Sequence, residues 1–428
     1  MTLDRTLSRR LSLSFGVVLC VAVSSAFAEA PAAAAKLGMP TAAPEAQGFS
    51  AAGLAALNKE MHGLVDTQKL AGVTTLVARH GKVVHFDTYG KANAGTGKAL
   101  QPDSIFRIAS MTKPIAGVAM MQLYEQGKWK MDDPVAKYIP EFANLQVKKA
   151  GGGTEPQKKP MTMAQLMSHS AGFGVSAVYT DAGLAASDLQ GMIDKLKTLP
   201  LETQPGSAWD YGPSVNIQGY IVEKLSGKSL DVYLDENIFK PLAMTDTGFW
   251  APGAKTDRVV AVHTYDASGK IIPQPTQTVT SAKPKFLSGS GGLMSTAKDY
   301  WRFAQAMANE GQLDGKRVLK AETVKLMRVN VLKPGVKVDL YGPSLEGVGF
   351  GMDFAVIMDP KVATTPQGLN SFYWGGAFGT WFWIDPTNDL VFVGMIQNLN
   401  GSTPGQGTPT VRPMSVAATY KALTDPKK

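Results

Sequence analysis

A serine stands three residues before a lysine in the stretch Phe106-Arg-Ile-Ala-Ser110-Met-Thr-Lys113-Pro114. Residues at i and i+3 share one face of a helix. An uncharged apolar run follows as far as Glu125, and Gly127 supplies a helix stop. A run that is apolar nearly all round reads as a buried helix. Proline is tolerated only in a first helical turn, so Pro114 fixes the start and Ser110 sits at or just before it. Lysine is almost never fully buried unless it has a partner. Lys113 opening a buried helix beside Ser110 therefore points to an activated hydroxyl.

The spacing recurs at Ser295-Thr-Ala-Lys298, where a blander reading holds. Thr296 and Asp299 form a capping box ahead of the amphipathic helix that begins at Tyr300. Support for Ser110 must come from elsewhere, because a serine nucleophile needs a base, an oxyanion pocket and a shaped acyl site. The signatures of other hydrolase types are missing. No Gly-x-Ser-x-Gly elbow occurs. The five histidines His62, His80, His85, His169 and His263 have no metal spacing. His169, beside a glycine-containing turn, reads as a structural hydrogen-bonding residue.

Two other stretches carry chemistry. Pro205-Gly-Ser-Ala-Trp-Asp-Tyr211-Gly-Pro-Ser214 holds a tyrosine on a Gly/Pro turn ahead of a helix. A tyrosinate beside a lysine cation could take the serine proton, and so could a neutral lysine. Burial or opposite charge must hold either group in its reactive form. Tyr373-Trp374-Gly375-Gly376-Ala377-Phe378-Gly379 places bare glycines at a strand end. Glycines there mark close approach of a ligand or another backbone. Free N–H groups at such an end can complete an oxyanion pocket with the nucleophile's own N–H. Tyr373, Trp374 and Phe378 are candidate walls of an apolar acyl or alcohol pocket.

Elements must bring these stretches together. Ser50 caps a helix with the stripe Leu54, Leu57, Met61, Leu64 and Val65. Residues 72–78 and 82–88 read as strands joined at His80-Gly81. Residues 128–285 read as mostly helical and loop-rich. Apolar segments at 350–357, 371–376, 379–384 and 390–396 read as an antiparallel meander, closed by a helix over 411–423. Strands at both ends with helices between predict one sheet built from the two ends of the chain. The expected class is α+β, an antiparallel sheet flanked by helices. The sheet lobe covers about 47–115 and 287–427, and an inserted helical lobe about 116–286.

In this order, Ser110-Met-Thr-Lys113, Tyr211-Gly-Pro and Trp374-Gly-Gly376 resemble the three motifs of the class C β-lactamase and penicillin-binding-protein superfamily. Asp132 to Pro140, Leu166 to Gly172, Pro241 to Thr247 and Ser290 to Ser295 also look like recurrent segments of that family. The resemblance covers about residues 45–425 and implies the same sheet-plus-insert fold. It departs at two points. Pro213 stands where true β-lactamases carry an asparagine, with Ser214 or Asn216 as candidate substitutes. Trp374 stands where they carry a cation that would attract a substrate carboxylate. Trp-Gly-Gly is similar to the variant of family VIII carboxylesterases. By motif alignment, the resemblance implies an oxyanion pocket from the N–H groups of Ser110 and Ala377, with Gly375 and Gly376 along the substrate.

Composition narrows the setting. The chain has 428 residues, a formal net charge of +8 and a single cysteine, Cys20. Arg5, Arg9 and Arg10, an apolar core from Leu11 to Val23 and Ala26-Phe27-Ala28 read as a cleaved secretory signal over 1–28. The apolar core is too short for a membrane span. Cys20 would leave with the signal, which excludes disulfides, thiol catalysis and cysteine-bound metal. Residues 29–46 are rich in alanine and proline and read as a disordered leader. Basic residues are scattered without interleaved aromatics, unlike a nucleic-acid surface. The expectation is a periplasmic or secreted serine hydrolase cleaving small-molecule carboxylic esters through an acyl-enzyme on Ser110. It needs no cofactor, metal or stable membrane anchor. A β-lactamase, D-amino-acid peptidase or amide hydrolase is the second reading, and a non-catalytic envelope binding protein the third. The sequence leaves the oligomeric state unknown.

Overall fold

A computed structural model describes residues 29–174, 188–275, 280–339, 344–399 and 411–427. The expected signal segment lies outside them. The helices are α1 (Glu29–Lys36), α2 (Ala51–Asp66), α3 (Thr112–Glu125), α4 (Met163–Met167), α5 (Leu189–Leu196), α6 (Ser214–Ser226), α7 (Leu230–Leu234), α8 (Ala297–Ala308), α9 (Ala321–Met327) and α10 (Val411–Ala422). The main sheet contains β1 (Gly72–Arg79), β2 (Lys82–Asn93), β3 (Lys98–Ala99), β4 (Val348–Phe350), β5 (Ala355–Ile357), β6 (Phe372–Gly375), β7 (Trp381–Asp385) and β8 (Leu390–Met395).

The sheet order is β4-β5-β6-β7-β8-β1-β2-β3, antiparallel throughout. The join between the chain's two ends is β1 on β8, from Thr74 opposite Met395 to Arg79 opposite Leu390. Both central strands are buried along their whole length; β8 accordingly reads as a near-continuous apolar run, whereas β1 buries Thr74, Thr75 and Arg79 as well. His80 and Gly81 take positive φ at the β1–β2 turn, which the right-handed strand twist favours.

One face of the sheet carries α2 and α10, around Leu57, Met61, Trp383 and Phe392. Ser50 accepts the Gly53 N–H at 3.2 Å to cap α2, a bond worth about 1 kcal/mol. The other face carries α8 and the larger core that continues into the helical lobe. At the centre of that core lies α3, with eleven buried residues from Thr112 to Leu123. Pro114 sits in its first turn and Gly127 follows its end at φ 71°. The expected lobe boundary near 115 falls inside this continuous helix.

Three expectations need correction. Residues 29–46 are not a disordered leader. Residues 29–36 form α1, Ala34 and Met39 are buried in the main core, and Thr41 bridges Val83. Alanine-rich sequence is also the best helix former, and the core supplies the packing that composition cannot reveal. The 350–357 segment is two strands, because Gly351 is pressed against the carbonyls of Met327 and Val329 and turns the chain. At Thr296 the cap forms, but the Asp299 carboxylate accepts from the Asp246 N–H and the Thr247 hydroxyl and does not close a box.

Candidate active site

Ser110 lies in a single 3₁₀ turn, Ala109–Met111, that runs directly into α3. Ala109 takes φ 45°, a left-handed conformation that costs a non-glycine residue energy and is overdetermined by its surroundings. Those surroundings are explicit. The Ile108 N–H donates to Leu293 O at 3.0 Å, and Ile108 O accepts from the Thr380 hydroxyl at 3.1 Å. The buried Tyr300 hydroxyl donates to Met111 O at 2.9 Å, and the Leu293 N–H donates to Thr112 Oγ1 at 3.1 Å. The Ser290–Ser295 segment and the β6–β7 turn therefore clamp the serine from two sides. Ser110 itself is half-exposed.

Lys113 is 3 % exposed. Its ammonium donates to Ser110 Oγ at 3.2 Å and to Ser290 O at 2.7 Å. It also lies 4.5 Å from the centroid of the Tyr211 ring. Residues 110, 113 and 211 thus meet, although Tyr211 comes from a turn about a hundred residues downstream. That turn is held by the Asp210 N–H on His169 O at 2.7 Å. Gly212 packs so closely on Phe173 O that no side chain would fit.

Pro213 occupies the asparagine position of the second motif, and Asn216, in the first turn of α6, lies near Lys113 by an indirect route. Asn216 Oδ1 accepts from the Ser290 N–H and the Ser288 hydroxyl, both at 2.9 Å. Ser290 O in turn receives Lys113. Asn216 therefore reaches the lysine through one intervening residue. Ser214 Oγ is buried with no hydrogen bond among the described residues.

Trp374 packs on Tyr211 at 5.6 Å and on Phe350 at 5.3 Å between ring centroids. Strand alternation turns Tyr373 to the opposite face, toward α10 and Arg412, so it does not share a wall with Trp374. Burial pushes the Tyr373 hydroxyl up to about 12. Phe378 is half-buried on the turn beyond β6. Gly376 abuts Ile108, the residue before the serine turn: a Cβ there would lie 3.1 Å from the Ile108 carbonyl carbon and closer to its oxygen. Ala377 follows, exposed. Neither Ser110 nor Ala377 donates its backbone N–H to an acceptor among the described residues.

Two buried groups lie behind the triad. His169 is fully buried and its ring lies tilted 4.8 Å from that of Tyr211, with neither ring nitrogen hydrogen-bonded among the described residues. The hydrogen bond expected of it from the sequence is not made among the described residues. Its Nε2 is 3.9 Å from Asp353 Oδ1. Burial, with Lys113 nearby, holds the imidazole well below its usual range and hence neutral. Burial likewise holds the Asp353 carboxyl well above the carboxylate range, against the Gln218 amide and Lys113.

Sequence reasoning missed one charged residue. Arg412, on α10, lays its guanidinium over Gly375, where a Cβ would come within 2.5 Å of Cζ. It donates to Gly376 O at 3.0 Å and Thr380 O at 3.4 Å. A cation is therefore present beside the third motif, supplied by a helix instead of the strand. Nothing in the local sequence around Arg412 marks it. Only the pair of bare glycines hinted that something approaches β6.

Comparison with known proteins agrees with this arrangement. The Beta-lactamase family model matches residues 57–412. The chain belongs to that family. An uncharacterised protein of Mycobacterium tuberculosis is 32 % identical over 385 residues, 84 % of this chain and 96 % of the relative. Esterase EstB of Burkholderia gladioli is 30 % identical over 371 residues, 79 % of this chain and 89 % of the relative. The solved structure of EstCE1, described as a hydrolase with promiscuous acyltransferase activity, superposes with a TM-score of 0.72 at 23 % identity. That match covers 86 % of this chain and 98 % of that one, and shows the shared fold. Membership makes the chain a serine hydrolase of the penicillin-binding-protein and class C β-lactamase superfamily.

Proposed function

We propose that the protein hydrolyses carboxylic esters through an acyl-enzyme on Ser110. The observation that carries this reading is the buried Lys113 Nζ, 3.2 Å from Ser110 Oγ and 4.5 Å from the Tyr211 ring. Ser110 Oγ attacks the ester carbonyl carbon, and its proton passes to the basic member of the pair, either the Tyr211 tyrosinate beside a charged Lys113 or the free amine of Lys113. The carbonyl electron pair moves to oxygen, facing the Ser110 and Ala377 N–H groups. Collapse breaks the C–O bond, and the alcohol leaves with the proton held by the Tyr/Lys pair. Water, deprotonated by the same pair, then releases the acid.

Trp374 supports esters over β-lactams, since it puts an indole where the sequence resemblance implied a cation. The relative EstB, named an esterase, is in keeping with this. Arg412 favours a second reading, cleavage of substrates bearing a carboxylate, because it restores a cation to this strand end. Its guanidinium is already engaged with two main-chain carbonyls, so the ester reading stands first. We also propose export, on the basic start, apolar core and Ala26-Phe27-Ala28 of residues 1–28.

The test is hydrolysis of short and long nitrophenyl esters and a chromogenic cephalosporin by wild type and Ser110→Ala. Ester turnover that vanishes in the variant is expected. Equal turnover by both proteins refutes the nucleophile. Faster cephalosporin than ester turnover selects the second reading. Intact mass after a fluorophosphonate should show one adduct, absent in Ser110→Ala.

A further inference from the structure

Arg412 is an unusual half-buried cation. Its acceptors among the described residues are two main-chain carbonyls, Gly376 O and Thr380 O, and it forms no ion pair there. Its Nε has no hydrogen-bond partner among them. Arginine is seldom buried without an anion, because desolvating the charge is costly. Burial accordingly lowers its proton affinity, with Tyr211 and Tyr373 acting in the opposite sense.

The carbonyls it grips are not arbitrary. Gly376 O belongs to the peptide group whose nitrogen is Ala377 N. Gly376 O also accepts from the Gly379 N–H at 3.0 Å, and the Gly376 N–H donates to Thr380 O at 2.7 Å. These bonds close the base of a tight turn with Ala377 at its exposed tip. Arg412 reaches both carbonyls at that base. It can do so because Gly375 has no side chain; a Cβ would lie 2.5–2.8 Å from Cζ, Nη2 and Nη1. The first glycine of the pair admits the guanidinium, and the second lets the turn press on Ile108.

We propose that Arg412 is a positioning residue of the oxyanion pocket: by binding Gly376 O it orients and polarises the Gly376–Ala377 peptide, whose N–H faces the developing oxyanion. This rests on the acyl-enzyme reading with Ala377 as donor. A charge-assisted bond to the carbonyl is stronger than a neutral one. Hydrogen bonds in series through a peptide strengthen one another. When Ser110 Oγ bonds to the ester carbon, the π pair moves to oxygen, and the Ala377 N–H receives the charge. Arg412 then acts from behind the peptide without touching substrate.

The test compares wild type, Arg412→Ala, Arg412→Lys and Gly375→Ala. Two esters are used: neutral p-nitrophenyl butyrate and the monoanionic mono-p-nitrophenyl glutarate. Loss of an oxyanion donor costs about 10²–10³ in kcat, and weakening one should cost roughly 10–50-fold. Arg412→Ala should show that loss on both esters, with KM moved less than about threefold. Lysine should recover part of the rate through one charged donor. Gly375→Ala keeps the charge but displaces the guanidinium, and should also lower kcat, which preserves the test if Arg412→Ala does not fold. Phenylboronic acid, which accepts the Ser110 Oγ pair to form a tetrahedral adduct, should bind more weakly to Arg412→Ala by a similar factor. An unchanged kcat on the neutral ester with a raised KM for the anionic one would overturn the proposal in favour of an anion subsite. Unchanged boronate affinity in a folded Arg412→Ala would overturn it in favour of a purely structural role. Equal ester turnover by wild type and Ser110→Ala would instead remove the underlying reading.

Discussion

Replacing Gly376 by alanine tests how tightly the third motif must press on the serine turn. The added Cβ would lie 3.1 Å from the Ile108 carbonyl carbon, and closer to Ile108 O and Thr380 Oγ1. Two of those three atoms are backbone, and Ile108 O is already tied to Thr380 and Met111. Neither can rotate away as a flexible side chain would. Reaching ordinary contact requires β6 and the turn beyond it to withdraw by about 1 Å, and a misplacement of that size near the chemistry can cost about 10²-fold. Loss of one oxyanion donor costs 10²–10³-fold, about 3–4 kcal/mol. The two estimates agree, so kcat should fall about 100-fold with KM changed severalfold at most. Overpacking should also remove about 1–3 kcal/mol of stability. The assay is steady-state hydrolysis of p-nitrophenyl butyrate, paired with a denaturant titration to separate rate from unfolding. Gly376→Ala retaining kcat within about twofold, while remaining folded, would refute the argument that Ala377 is aimed by contact with Ile108.

Asn216→Ala removes the acceptor for the Ser290 N–H, leaving a buried donor unpaired at about 1–3 kcal/mol. It should also lower kcat at least tenfold by loosening the Ser290 carbonyl that holds Lys113; unchanged kcat would break that chain of contacts. Two buried groups give opposite pH slopes, checked by denaturant titration of each variant between pH 4 and 7. Burial pushes the Asp299 carboxyl up to about 6, so the folded state holds its proton more tightly and this contribution falls as pH rises from about 4 to about 6. Burial holds His85 down to about 4, so its contribution rises from about pH 4 to about 6.5. Each is worth on the order of 3 kcal/mol, and the two offset each other in the wild type. Asp299→Asn should leave a rising curve and His85→Gln a falling one; parallel curves would contradict both assignments. Gly63 sits in α2, where an added Cβ would meet no atom within 4 Å, so Gly63→Ala should add about 0.5–1 kcal/mol without altering turnover.

Much of the fold was legible because its signals are local. The α3 helix announces itself through Pro114, an apolar run and Gly127, and the β1–β2 hairpin through its turn residues. The union of the two chain ends in one sheet followed from where the strands lie in the chain. The leader was misread because composition rules against a core but says nothing about a core supplied by others: Ala34 is buried only because the sheet lobe is there to bury it.

The site divides in the same way. Ser110 and Lys113 are three residues apart, and helix geometry alone puts their side chains on one face; the sequence determined that much. Tyr211 and the Trp374 strand were marked by turn and glycine chemistry, although only the fold could set them against Lys113. The remaining decisions belong wholly to the tertiary structure. Which face of β6 meets Tyr211 decides that Trp374 lines the site and Tyr373 does not. Asn216 reaches Lys113, among the described residues, through the main chain of Ser290. Arg412 brings to Gly376 a positive charge that the motif itself lacks. Such contacts join residues far apart in the chain through backbone atoms, which every residue possesses, and so leave no mark in the order of side chains.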